Sequence, residues 1–445
     1  MKEIITLQLG HESNHLATHF WNAQESYFSY EPREESRIDH DVHWRQGISA
    51  DGSDTFTPRT VIYDLKGGFG SMRKINALYE EPVPQPDPAG SSLWAGPQTV
   101  KRLPEIPVTD YQQSLDQGNT PKALTTSSVR YWSDYNRVFY HPRSIVQIND
   151  YDVHSSPNPF DKWAAGDLLF QTLDREHDLV DRDLRPFVEE ADQMQGIQLL
   201  TSIHDAWSGF ASRYIEALRD DHPKSSIWVW AVQPPFGTGK SEARLQSLTN
   251  TARAIVDVSR QGSLMLPLGL DRAVIPRSTG FDMTSSWHTS SLLSVALETA
   301  TLPSRLKPGA GSSATLNTMT EAVVKAGKRR LANVTMQVGG DDRAGDQVSI
   351  HPNGQLGAHN PGDSELKLDL SFATGPSPGR PTDYLAATES HVFAKLSSSR
   401  GFRYQEDSLH LALNPTSTRC DTILRRQAPF SSVFLTLQSS SFVLS

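Results

Sequence analysis

The sequence predicts an α/β protein, with a doubly wound, mostly parallel sheet covered by helices on both faces and a second, smaller α+β domain after it. Three observations carry this. Short apolar, β-branched runs alternate with amphipathic helical stretches across about residues 1–300. The first two runs stop at glycines, Gly10 and Gly67–Gly68, where a strand gives way to a turn. Beyond about residue 306 the alternation fades, and stretches rich in Gly, Pro, Ser and Asp separate isolated strand-like segments.

In chain order, EIITLQL (3–9) is a short strand ended by Gly10, and HESNHLATHFWNAQESYF is a helix with Leu16 and Phe20 on its inward face. Residues 27–57 are polar and irregular, with an edge strand at 42–44. RTVIYDL (59–65) is a buried strand stopped by Gly67 and Gly68. From about 80 to 160 the chain is Pro-rich and without period; EEPVPQPDPAGSS is a loop, and the aromatic-dense VRYWSDYNRVFYHPRSIVQI packs onto the body. Helices are expected at 164–173 and 178–193, the second kinked at Pro186. Strand 196–203 is followed by helix 208–220, strand 226–232 by helix 242–259, and another apolar helix covers 285–300. Residues 316–334, ELKLDLSF and HVFAKL supply a helix and strands of the second domain. The expected domains are thus 1–305, with a loop-rich region at about 75–160, and 306–445. Right-handed crossovers in such a sheet place ligands outside the carboxyl ends of the strands. That rim comprises residues 10–14, 66–70, 204–209 and 233–240.

Composition narrows the function classes. The 445 residues carry a net charge of -9, which gives no basic face for phosphate backbones, so nucleic acid is not an expected partner. No stretch approaches the ~20 apolar residues that span a bilayer, leaving peripheral membrane contact at most. MKEIITLQLG has one cation and a short apolar run, so it does not read as a secretory signal. Cys420 is the single cysteine and supports neither an internal disulfide nor a thiolate metal cluster, in keeping with a reducing compartment.

Three stretches carry chemical motifs. H-E-S-N-H (11–15) has the spacing of a helical two-histidine zinc motif, and His19 adds a third imidazole to the same face. Only one short strand precedes it, and His19 is off the extended zinc-protease spacing, so it reads as a helix start and no metal is expected. F-G-T-G-K-S (236–241) follows a strand and precedes a helix, as a P-loop does, but Pro234 stands where its first glycine belongs. Proline has no N–H and fixes φ, which breaks a phosphate cradle. D-A-W-S-G (205–209) joins a strand to a helix where a nucleotide loop needs several glycines; only Gly209 remains, beside the bulky Trp207.

Taken in order, these segments resemble tubulin. MKEIITLQLGHESNHLATHFW is similar to the tubulin N-terminus, TPRTVIYDLKGG to its Pro-Arg-Ala-Val to Asp-Leu-Glu-Pro-Gly segment, and DLRPFVEEADQMQGIQLLTSI and RYIEALRDDHPKSSIWVWAV to the elements flanking its glycine-rich loop. About residues 1–300 are colinear, with an unmatched region near 75–160. With YWSDYNRVFYHPRSI and the loop stripped of glycines, the chain most resembles the Misato family of divergent tubulin relatives. The resemblance implies a tubulin/FtsZ-like fold. It also implies guanine-nucleotide contacts at Gly10, His11, Asn14, Asp64, Gly67, Gly68, Ser208, Gly209 and Asn250, with GTP as the only cofactor in prospect. Three departures weigh against hydrolysis. HDAWSGF replaces the glycine-rich loop, Lys66 replaces the acid that helps hold Mg²⁺, and LPSRLKPGAGSS lacks the water-activating carboxylate. The expected role is a non-enzymatic scaffold or regulator in mitochondrial distribution, partitioning and mitochondrial DNA inheritance, at the cytosolic face of mitochondria and in the cytoplasm. Protein partners are expected at the mitochondrial outer face or in the tubulin and chaperonin machinery. The alternatives are a binding module for tubulin or chaperonin and a GTP-binding assembly protein.

Overall fold

The computed structural model describes residues 3–28, 36–49, 52–79, 105–234, 241–270, 281–308, 313–324, 330–339, 366–370, 392–400 and 432–440. The chain begins with β1 (Glu3–Leu9) and α1 (His11–Glu25), then a hairpin of β2 (Trp44–Ile48) and β3 (Asp54–Pro58). There follow β4 (Thr60–Lys66), α2 (Asp110–Asp116), β5 (Ile145–Asp152), α3 (Trp163–His177), α4 (Arg185–Glu189), β6 (Met194–Ser202) and α5 (Trp207–Asp221). The alternation closes with β7 (Ser226–Val232), α6 (Ser241–Gln261), β8 (Leu264–Leu268) and α7 (Ser286–Thr301). After α8 (Leu316–Val323) come β9 (Asn333–Gly339), β10 (Leu366–Asp369), β11 (Val392–Arg400) and β12 (Ser432–Ser440).

Six strands form one all-parallel sheet in the order β5-β4-β1-β6-β7-β8. β1 and β7 are buried along their whole length, as strands covered on both faces must be, and this is why SIWVWAV is an almost unbroken apolar run and EIITLQL is mostly apolar or β-branched. On one face, Ile5, Leu7, Tyr63, Leu199 and Val229 pack against Phe210 and Tyr214 of α5 and against Ala254 and Val258 of α6. On the other, Ile4, Ile62, Leu200, Trp228 and Trp230 meet Leu16 and Phe20 of α1 and Leu293 and Leu297 of α7. This second cluster continues without a break through Leu316 and Met319 of α8 to Val334, Met336, Leu435 and Leu437. Those last residues lie in an antiparallel sheet of order β10-β9-β12-β11, so the two sheets share one core.

Four local expectations change. Within 178–193 the chain makes a wide helical turn at Val180–Leu184 and then the short α4, which Pro186 starts rather than kinks. The Gln193 N–H donates to the Glu3 carboxylate at 3.0 Å, and the Glu3 N–H to the Gln193 carbonyl at 3.1 Å, which pulls the segment into β6. Among the described residues of 316–334, α8 supplies eight helical residues and the far end is not helical, because Ala332 and Val334 are needed beside β8 and in the second sheet. The edge strand at 42–44 becomes the β2–β3 hairpin, outside the main sheet. β5 and β8 were not anticipated: β5 lies inside the Pro-rich region, and β8 is five residues with a central proline.

Candidate functional site

All six parallel strands deliver their carboxyl ends to one rim, and the first corner of that rim is built by β1, α1 and β4. Gly10 leaves β1 at φ 89, a left-handed conformation open to glycine, and its carbonyl accepts the Asn14 N–H at 2.9 Å to start α1. Asn14 and Asp64 are both fully buried. Asn14 Nδ2 donates to Asp64 Oδ2 at 2.9 Å and to the Tyr63 carbonyl at 3.2 Å. Trp132 Nε1 donates to the same Asp64 Oδ2 at 2.9 Å, and the Leu65 N–H reaches Oδ1 at 2.9 Å. Burial pushes the Asp64 carboxyl up; the neighbouring His11 and the donors from Asn14, Trp132 and Leu65 hold it back down. Gly67 turns the chain out of β4 at φ 84, and Gly68 lies so close that a Cβ there would stand 2.5 Å from Asp64 Cγ. Lys66 is exposed at the end of its strand.

The second corner lies between β6 and α5, and its residues face inward too. Both carboxylate oxygens of Asp205 accept from Ser202 Oγ at 2.8 Å, and Oδ1 accepts the Trp207 N–H at 3.0 Å. The first turn of α5 is therefore capped by the chain's own carboxylate, where a phosphate would otherwise be drawn to free N–H groups. The Trp207 indole lies directly over Gly10, so that any Cβ at Gly10 would overlap its Nε1, Cδ1 and Cε2 atoms. Phe160 packs edge-on against the indole at 5.3 Å between ring centroids. Ser208 is fully buried and donates to the Asp205 carbonyl at 2.6 Å. Gly209 serves a helix crossing: a Cβ there would overlap the Trp163 carbonyl of α3, and one at Gly166 would overlap the Ala206 carbonyl. Asn250 is an internal clip. It donates to the carbonyls of Asp161 at 2.7 Å and His204 at 2.9 Å, and accepts from the Trp163 N–H at 3.0 Å and Gln246 Nε2 at 2.9 Å.

The profile described as Misato Segment II tubulin-like domain matches residues 2–117, and the profile described as Tubulin domain matches residues 121–306. Protein DML1 of Gibberella zeae is 46% identical over 430 residues, which cover 96% of this chain and 82% of that protein. The chain belongs to the Misato family. Protein dml-1 of Neurospora crassa is 51% identical over 340 residues, 76% of this chain and 62% of that protein. Protein misato homolog 1 of Pongo pygmaeus is 31% identical over 348 residues, 68% of this chain and 60% of that protein. The Tubulin domain profile covers 121–160 of the region near 75–160 expected to be unmatched to tubulin, and the Misato Segment II profile covers 75–117 of it.

In this Misato chain, then, the sequence-predicted residues fall into two groups. Gly10, His11, Asn14, Asp64, Gly67 and Gly68 do come together at one corner, where Asn14 and Asp64 bond to each other and Gly68 packs on Asp64. Ser208, Gly209 and Asn250 instead hold α3, α5 and α6 in place. Residues 236–240 of the P-loop-like stretch and 309–312 of LPSRLKPGAGSS lie outside the described residues; Ser241 opens α6. Among the described residues no group of three His, Cys, Asp or Glu is placed to hold a metal ion. Sequence reasoning gave no role to Trp132 and named Asp205 only as the first residue of D-A-W-S-G. Trp132 lies in the aromatic-dense stretch, whose unusual density was the available signal; the capping role of Asp205 depends on Ser202 and had none.

Proposed function

We propose that this Misato-family chain is a non-enzymatic, tubulin-like scaffold or regulator acting in mitochondrial distribution, partitioning and mitochondrial DNA inheritance. It works from the cytosolic face of mitochondria and from the cytoplasm, through protein partners. Family membership supports the mitochondrial part of this reading. The non-enzymatic part rests on one observation: the two described corners of the rim hold the protein's own side chains, with Trp207 over Gly10, Asp205 on the first turn of α5, and Asp64 spent on Asn14 and Trp132.

Phosphoryl transfer of the tubulin type is mostly electrostatic stabilisation by metal and backbone donors, with a placed water for attack. A carboxylate at the α5 N-terminus repels the phosphate that such a site must bind. An indole over Gly10 fills the space into which a phosphate would pass. Released-nucleotide chromatography of the denatured full chain, with calorimetric titration of GTP and Mg²⁺, tests this directly. No guanine nucleotide and no saturable heat are expected; stoichiometric GTP in either assay overturns the non-enzymatic reading. Acute depletion tests the cellular half. It should disturb mitochondrial distribution and DNA content, and unchanged mitochondria would reject that half.

A further inference from the structure

The histidines of H-E-S-N-H are not used by the proposed scaffold role, and their geometry is specific. His11 and His15 lie one helical turn apart, and their Nε2 atoms approach to 3.3 Å with the rings at 84°. Two imidazole nitrogens that share a tetrahedral ion at about 2.0–2.1 Å each are separated by about 3.3 Å, the edge of that tetrahedron. The hydrogen bonding also assigns the tautomer of His15. Tyr135 donates its hydroxyl proton to the His15 carbonyl at 3.0 Å. With that proton on the carbonyl, the 2.9 Å contact between Tyr135 Oη and His15 Nδ1 is the Nδ1–H tautomer's hydrogen bond. A neutral His15 is left with a bare lone pair on Nε2, aimed at His11. Anchoring one ring nitrogen so that the other is presented is how metal-binding histidines are oriented.

We propose that His11 and His15 form a two-imidazole site for a borderline transition-metal ion such as Zn²⁺ or Ni²⁺. His15 is the buried, preoriented ligand, and His11, half-buried at the start of α1, stands on the outer side. His19 is not a third ligand, because its Nε2 bonds the Trp287 carbonyl at 2.9 Å. Glu12 accepts from Ser286 Oγ at 2.8 Å and is committed to α7, so the hydrolytic base of the zinc-protease motif is missing. Since no third His, Cys, Asp or Glu completes the set among the described residues, solvent fills the other positions, and the ion's role is to fasten α1. This inference stands independently of the scaffold reading.

The test is calorimetric titration of ZnCl₂ and, separately, NiCl₂ into chelator-treated full-length protein. One saturable equivalent is expected. His11→Ala should weaken it at least tenfold. Tyr135→Phe should weaken it about 10–100-fold, as loss of an outer-shell partner does. His19→Ala should leave it unchanged. If His11→Ala unfolds in the metal-free state, His11→Asn takes its place. Absence of saturable binding, or equal binding by the His11 variants, overturns the proposal and leaves the pair as a shared-proton hydrogen bond.

Discussion

The two corners of the rim depart from a nucleotide site in different ways. At the β1–β4 corner the residue types resemble those of tubulin, but they are turned upon one another: Asn14 and Asp64 bond directly, and Trp132 closes the set. At the β6–α5 corner the types have changed, and each residue there has a packing or capping task. The first corner is thus closed by side chains bonding one another, with Asn14 Oδ1 left without a partner, and the second by filling its space. The two routes differ in what is needed to reopen them.

The largest expected effect is at Trp207, which is 3% exposed. Trp207→Ala should cost about 3–5 kcal/mol in denaturant unfolding, the range for emptying a buried aromatic position. Its GTP titration should remain flat, because Asp205 still caps α5. Saturable GTP binding by that variant would show that the indole alone closes the site. Gly209→Ala comes next, at about 3 kcal/mol, because its Cβ would meet the rigid α3 backbone. A loss under about 0.5 kcal/mol on the same measurement would mean that α3 slides freely. Asn250→Ala should cost about 2–3 kcal/mol by orphaning buried groups around two carbonyls and an N–H. Protease nicking ahead of α3 is the complementary check on it. Asp64→Asn should be milder, at about 1 kcal/mol, since the amide keeps one acceptor and removes a costly buried charge.

The last effect is a pH slope, and two of the histidines that contribute to it lie outside both corners. Burial holds His43 well below the ordinary histidine value, with Arg305 and Arg59 adding to the effect. His40 is lowered to about 4, chiefly by burial and also by Lys307. The unfolded chain takes up these protons near pH 6.5, before the folded chain does. Their contribution is therefore complete above pH 6.5 and is lost as pH falls toward 4. His43→Phe should flatten that part of the stability profile. An unchanged slope would place the dependence on other groups.

Much of the sheet was legible because local pattern and tertiary environment agree there. β1, β4, β6 and β7 are largely buried on both faces, so each carries a run of apolar or β-branched residues that a reader of the sequence sees directly. β5 was hidden because IVQINDYD is half-exposed at the sheet edge, and β8 because LMLPL is short and contains proline. The helix drawn over 316–334 failed for the opposite reason. Its apolar spacing is real, but Val334 and Met336 are claimed by a sheet whose other strands lie far along the chain.

Residue types and their order were enough for the parallel α/β layout, for the tubulin-like resemblance, and for recognising that the loop at 205–209 lacks its glycines. Those properties depend on neighbours a few residues apart. Whether Asn14 faces a ligand or Asp64 depends on residues 50 apart. The cover that Trp207 lays over Gly10, and the Trp132 bond to Asp64, likewise exist only once the strands are side by side. Burial favours these pairings, because a polar atom removed from water costs free energy unless it finds a partner within hydrogen-bond reach.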